Sequence, residues 1–250
     1  MNRIILEESE HVEGSLFSLN PRKSNHIIKI LKSKIGDNIK VGLINKSTGI
    51  GTIESIDFKD RKVLISYKKE YDESELPMAN LANVRIFSSI QRPQTVKKII
   101  QLAATSGISE LFFFPAEKSE FTYFNSSIWS EENLLEEIIL GLEQGGRIQT
   151  PKITVLKNKY RLKEELTNYN RFLLDFNGKY LLNPTLGIDF SNPIQIVIGP
   201  ESGFTEKDLS FFLDLGFEKI SVSENILRSE NAFAFILAQI ELLKSSSTGK

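Results

Sequence analysis

The chain has no cysteine among its 250 residues, and only two histidines. Disulfides, thiolate catalysis and Cys-ligated zinc are therefore excluded, and a His-built metal site is not expected. Glycine and proline are modest at 15 and 8, there is a single tryptophan, and no low-complexity tract or internal repeat appears. No apolar run approaches the ~18 residues of a membrane span. The opening stretch, MNRIILEESE, carries acidic residues where the apolar core of a leader would fall. A soluble, cytoplasmic protein is expected, with neither metal nor membrane as partner.

Charge of either sign is nearly balanced, at −1 net. The balance is uneven along the chain: residues 1–70 hold thirteen Lys and Arg against nine Asp and Glu, giving +4, and the remainder carries −5. A basic N-terminal end is what a module facing a polyanion would show; uneven sampling of a near-neutral chain gives the same picture.

What the chain does have is a dense stretch from Ile194 to Leu243. Ile194, Ile196, Val197 and Ile198 form a short apolar run, as in a strand buried on both faces. Gly199, Pro200 and Gly203 force a turn with free backbone N–H groups. Thr205 can cap the next helix, with Asp208 three residues on in an acidic variant of the capping box. Leu209, Phe212, Leu213 and Leu215 fit one helix face, and Gly216 suits its stop. Glu218–Val222 reads as a strand, Ser223–Leu227 as a polar loop, and an apolar helix follows with Arg228 and Glu230 at its start. Turns at the ends of neighbouring strands are where an open α/β sheet holds its ligand. On residues alone the stretch is either a polar small-molecule site or an ordinary strand–turn–helix unit.

Upstream, residues 1–72 read as a small β-rich domain, with strands over 3–6, 39–44, 51–56 and 63–67. One helix interrupts them. Pro21 suits its first turn, Ile27, Ile30 and Leu31 make its apolar stripe, and Lys23, Lys29 and Lys32 lie on its polar side. These lysines are either a solvated face or phosphate contacts. Residues 70–80 read as the linker, and 73–250 as the second domain. There strands over 84–90, 111–114, 152–156 and 171–176 alternate with helices over 96–105, 130–143 and 160–167. That rhythm predicts a parallel sheet covered by helices.

The phrase IGPESGF followed by ILRSENA resembles the uracil-N3 methyltransferases that act on RNA of the small ribosomal subunit, in the SPOUT superfamily. LEQGGRIQTPKI at 142–153 and NHIIKILKSKIGDNI at 25–39 resemble two further blocks of that family, in the right order. The resemblance implies a SPOUT-type parallel sheet with a C-terminal trefoil knot, preceded by a PUA-like β-barrel that binds RNA. It implies S-adenosylmethionine as cofactor, 16S RNA of the small ribosomal subunit as partner and a homodimer. By the same resemblance Leu174, Ile198, Gly199, Glu201, Gly203, Val222, Ser223, Ile226 and Leu227 would hold the cofactor. Arg228, Glu201 and Glu230 would serve the chemistry, and Lys23, His26, Lys29, Lys32, Arg92 and Arg147 would meet RNA. His26 on residues alone is more readily a packed histidine, and an Arg228–Glu230 surface pair is the plain alternative to a catalytic arginine.

Several positions depart from the family pattern. Ser202 and Ser223 replace glycines, Leu102 and Thr105 replace a Lys and a Glu, Lys32 replaces an Arg, and Leu142 and Gly145 replace cysteines. The alternative these departures leave open is a non-catalytic, RNA-binding, ribosome-associated protein of the same fold.

Overall fold

The structure, a computed structural model, describes residues 3–166, 170–180, 188 and 192–247. Thr167, the end of one predicted helix, and the last three residues of the tail lie outside them. The chain forms two compact units. One contains residues up to Met78 together with Ile139–Thr150, and the other contains Ala79–Ile138 and the residues from Pro151 on. A single cut at residue 72 misses this, because 139–150 return to the first unit from the end of a long helix.

The first unit is built on one mixed sheet. Its strands are β1 (Ile4–Leu6), β2 (His11–Glu13), β3 (Leu16–Leu19), β4 (Asn38–Leu43), β5 (Ser47–Asp57) and β6 (Lys62–Asp72), in the order β1-β4-β5-β6-β3-β2. Only β1 and β4 run parallel; the other pairs are antiparallel. Alternation sets the buried face: Phe17 and Leu19 on β3, and Val63 and Ile65 on β6, join Ile4, Leu6, Ile27, Val41 and Ile53 in one core. The short β2 and β3 were not legible as strands, since each offers too few residues for alternation to register.

α1 (Pro21–Asn25) begins where proline places it. Asn20 caps it, its side chain accepting from Lys23 N at 3.0 Å. A π-helical turn, His26–Leu31, continues it and ends at Lys32 with φ +53°. This wider winding destroys the expected apolar stripe. Ile27 is buried, but Ile30 and Leu31 are 68% and 44% exposed, because i→i+5 bonding no longer stacks residues three and four apart.

The second unit carries a wholly parallel sheet in the order β12-β10-β11-β7-β8-β9. The strands are β7 (Val84–Ser89), β8 (Glu110–Phe114), β9 (Lys152–Val155), β10 (Asn170–Tyr180), β11 (Ile194–Ile198) and β12 (Glu218–Ser221). Its helices are α2 (Pro93–Ser106), the short α3 (Phe121–Phe124), α4 (Glu131–Gly145), α5 (Glu206–Asp214) and α6 (Ser229–Ser247). Residues of α4 from Ile139 on group with the first unit. The predicted helix at 160–167 is instead a 3-10 segment, Lys159–Glu165. Phe87, Phe112, Leu173 and Val197 share one sheet face through their register and pack with Leu162, Phe212 and Phe217. α6 packs on β11 and on α2. All five residues of β11 are buried, as the apolar run predicts.

β10 meets β12 with a break in register: Leu174 and Lys179 both stand opposite Ile220. Gly178 lies in that break. A Cβ there would stand 2.4 Å from the Ile220 carbonyl carbon, so only glycine permits this approach.

Candidate functional site: a cavity at the ends of three strands

β7, β8 and β9 are laid down in one direction from β7, whereas β10, β11 and β12 lie on its other side. The strand order therefore reverses beside β7 and β11, where an open parallel sheet leaves a crevice at the strands' C-terminal ends. A cavity of about 500 Å³ opens there. Its wall comes from the chain after Leu174 in β10, the turn after β11, and the loop after β12. Leu174, Ile198, Gly199, Glu201, Gly203, Val222, Ser223, Ile226 and Leu227 all line it. Ile226 is 86% exposed, and Phe176, also in the wall, is half-exposed.

The turn after β11 is fixed from several sides. Gly203 has φ +73°, a conformation that favours glycine. Ser202, in place of the family's glycine, is not among the residues with positive φ. Thr205 caps α5 as predicted: its hydroxyl accepts from Asp208 N at 3.2 Å, and Asp208 reaches back to Thr205 N at 3.3 Å. Asp208 is fully buried and accepts Lys159 Nζ at 2.6 Å, with Glu117 at 3.6 Å from the same ammonium. Burial alone would lower the Lys159 pKa. The hydrogen bond and charge of Asp208, with Glu117, outweigh it and hold Lys159 above the ordinary lysine value. Lys118 Nζ donates to the Ser202 carbonyl at 3.2 Å. The Gly199 carbonyl accepts from Gln91 Nε2 at 3.2 Å and from Ser229 Oγ at 3.3 Å.

The loop after β12 is held in the same way. Ser221 Oγ donates to the Ser223 carbonyl at 2.9 Å, and Gln239 of α6 donates to the Val222 carbonyl at 2.9 Å.

Two acidic candidates are tied to α2. Glu201 accepts Thr95 Oγ1 at 2.8 Å and stands 3.2 Å from Arg92 Nε. Glu230 pairs with Lys98 Nζ at 2.9 Å. The sequence alternative of an Arg228–Glu230 pair is thereby corrected: the carboxylate goes to a lysine 132 positions away. Burial pushes the Glu230 carboxyl up, but Lys98, a backbone N–H and the nearby Arg228 charge outweigh it and hold it below its ordinary value. Arg228 is exposed and lies between two wall residues, Leu227 and Ser229. Its carbonyl accepts the Ala232 N–H at 2.9 Å, which starts α6. Among the described residues no hydrogen bond or ion pair reaches its side chain. Thr95, Lys98, Gln91 and Gln239 were missed by sequence reasoning. Only the three- and six-residue spacing of Arg92, Thr95 and Lys98 marks a common helix face.

The candidate RNA residues fare unevenly. Lys23 is overturned: its side chain is wholly buried, with Nζ 2.8 Å from Glu7 and 2.7 Å from Glu10. Its partners are Glu10 of the 3-10 turn Glu8–Glu10 and the capping residue Glu7, so it offers no ammonium to phosphate. Lys29 and Lys32 are exposed. His26 is partly buried, its Nε2 without a partner among the described residues. Burial leads in holding its pKa down, with Arg22 adding to it and Glu143 opposing. Arg92 is committed to Glu201 although 67% exposed, and Arg147 is half-buried. Glu143, four positions before it, is buried in the first unit, where it takes Arg22 at 2.7 Å and the Ile5 N–H at 3.4 Å. Among the described residues no acidic or His cluster could hold a metal ion, and no helix is long and apolar enough to cross a membrane.

A parallel α/β unit with a cavity at its reversal point is the arrangement in which open sheets hold a ligand. Residues 78–241 match the RNA methyltransferase domain, and the chain belongs to that family. It is 32% identical over 238 residues to ribosomal RNA small subunit methyltransferase E 1 of Borreliella burgdorferi, covering 93% of this chain and 94% of that one. It is 26% identical over 239 residues to the Treponema pallidum ribosomal RNA small subunit methyltransferase E, covering 93% and 87%. The fold matches the crystal structure of the Neisseria gonorrhoeae ribosomal RNA small subunit methyltransferase E bound to S-adenosyl methionine. The TM-score is 0.72 at 17% identity, over 97% and 98% of the two chains.

Proposed function

We propose that this chain transfers a methyl group from S-adenosylmethionine to N3 of a uridine in the 16S RNA of the small ribosomal subunit. The observation that carries the reading is the convergence of three strand-end loops on one cavity, with Arg228 between two residues of its wall. A volume of about 500 Å³ suits a nucleoside-sized cofactor, and the relatives named above are ribosomal RNA methyltransferases.

When bound, the cofactor supplies a methyl group on a sulfonium that departs as a neutral thioether, so no metal is needed. The chain's own residues do the rest. The three loops hold donor and acceptor in line. For transfer to balance, the N3 proton would leave to solvent or to a base before or as N3 takes the methyl group, and the sulfonium would depart as the thioether. The Arg228 guanidinium stabilises the negative charge spread over the uracil oxygens. It lies at the positive end of the α6 dipole, which adds to that field. Glu201, fixed by Thr95 and Arg92, orients the ligands at the turn. N3 is on the pairing edge of the base, so the base must be unpaired or extruded.

The first unit is proposed as a PUA-like barrel that meets RNA through exposed Lys29 and Lys32. The C-terminal segment is proposed to thread a trefoil knot, as the resemblance implies. A homodimer is proposed through the outer face of α6, where Phe235 and Leu242 are exposed. A soluble, cytoplasmic setting follows from the ribosomal substrate.

The test is to supply methyl-labelled cofactor and this protein to small subunits from cells lacking it, then map the label. A single N3-methyluridine is expected. Label elsewhere overturns the base assignment, and absence of cofactor binding by calorimetry at millimolar concentration favours the non-catalytic RNA-binding alternative.

A further inference from the structure

The side chain of Glu230 is only 11% exposed, and a carboxylate so placed requires a counter-charge. Two cations compete for it. Arg228 is two residues back on the same helix start, and its charge already bears on Glu230. Lys98 stands on α2, and it is Lys98 that takes Glu230, at 2.9 Å. The consequence falls on the exposed Arg228, whose side chain is left without an ion pair among the described residues and whose neighbours Leu227 and Ser229 line the cavity. α2 performs the matching task one turn earlier, where Arg92 and Thr95 take Glu201. The N-terminal half of one helix thus engages two carboxylates, Glu201 in the cavity wall and Glu230 in the first turn of α6.

We propose that Lys98 is a positioning residue for methyl transfer: by occupying Glu230 it keeps Arg228 free to face the acceptor base. Removing the ammonium leaves Glu230 with Arg228 as its nearest compensation, and a paired guanidinium has little field left for the uracil oxygens. The inference rests on the role given to Arg228 under the proposed function. The pair itself, with Lys98 56% exposed, contributes little stability; its effect is to direct charge.

The experiment measures single-turnover transfer from labelled S-adenosylmethionine to small ribosomal subunits, together with cofactor affinity by calorimetry. The variants are Lys98→Met, Lys98→Arg, Lys98→Met with Glu230→Gln, and Arg228→Ala. Lys98→Met is expected to slow transfer by about ten- to a hundredfold, the scale of losing part of a charge-stabilising group, with cofactor affinity unchanged. Lys98→Arg is expected to restore most of the rate. The double variant is expected to transfer at least about tenfold faster than Lys98→Met, since it removes the competing carboxylate. Should Lys98→Met fail to fold, Lys98→Gln gives the same contrast. A wild-type rate in Lys98→Met, or a slow double variant, overturns the proposal. A wild-type rate in Arg228→Ala overturns the role given to Arg228, and no transfer by the wild-type protein overturns the proposed function itself, so the failures are told apart by which protein remains active.

Discussion

Lys159 carries much of the geometry of the turn after β11, although it lies 49 residues from the acid it serves. Its ammonium neutralises the fully buried Asp208, and Asp208 in turn caps α5 at Thr205. Removing one partner of such a pair leaves an uncompensated buried charge. Lys159→Met is therefore expected to lower stability by about 3 kcal/mol, read from chemical denaturation. Because Lys159 is held above its ordinary pKa, the pair's contribution is present at neutral pH and below. It is lost only as pH rises past the ordinary lysine value of about 10.4 and through the raised one. Thermal melts of wild type should thus fall more steeply above that pH than those of Lys159→Met; parallel curves would contradict the assignment. At this scale the sequence was readable wherever a residue acts through its own neighbours. The Thr205 cap and Asp208 are of that kind. Lys98, Lys159 and the buried Lys23 act through partners distant in sequence, and a lysine's spacing does not reveal which acid will bury it.

Among the elements, the register break between the paired strands β10 and β12 makes the sharpest demand. A methyl at Gly178 would meet the backbone of Ile220, which cannot step aside as a side chain tip could. Gly178→Ala is expected to cost about 1–3 kcal/mol as overpacking. It should also weaken cofactor binding, because Phe176 and Asn177 of the cavity wall directly precede it. A variant with unchanged melting and unchanged cofactor affinity would remove this role. The π-helical turn His26–Leu31 makes a different prediction. Its winding leaves Lys29 and Lys32 exposed and buries none of Ile30 or Leu31. Neutralising the two lysines should flatten the salt dependence of RNA affinity by up to roughly 0.7–0.9 log units per lost contact. An unchanged slope would show that this face does not touch phosphate. Pattern placed the long helices α2 and α4 to within two or three residues, and a short apolar run placed β11. Pattern failed at the π turn, at the 3-10 segment Lys159–Glu165 and at β2 and β3. In each, the local winding or length departs from the period that makes an element visible.

For the whole molecule, the division into two units follows packing and not chain order. Residues 139–150 belong with the first unit because Arg3, Arg22 and Asn45 there bond to Gly146, Glu143 and Thr150. A linear reading offers no means of seeing such a return. The cavity was legible because its wall is made of short turns at successive strand ends, which a parallel sheet must bring to one edge. The account depends on those turns holding a methyl donor while Arg228 stabilises the charge on an unpaired pyrimidine. The most direct measurement is methyl transfer to small ribosomal subunits by Arg228→Ala, beside its cofactor affinity and its melting curve. The account predicts transfer reduced by at least about a hundredfold, with cofactor still bound and stability within about 1 kcal/mol of wild type. An Arg228→Ala protein that methylates at the wild-type rate would contradict it.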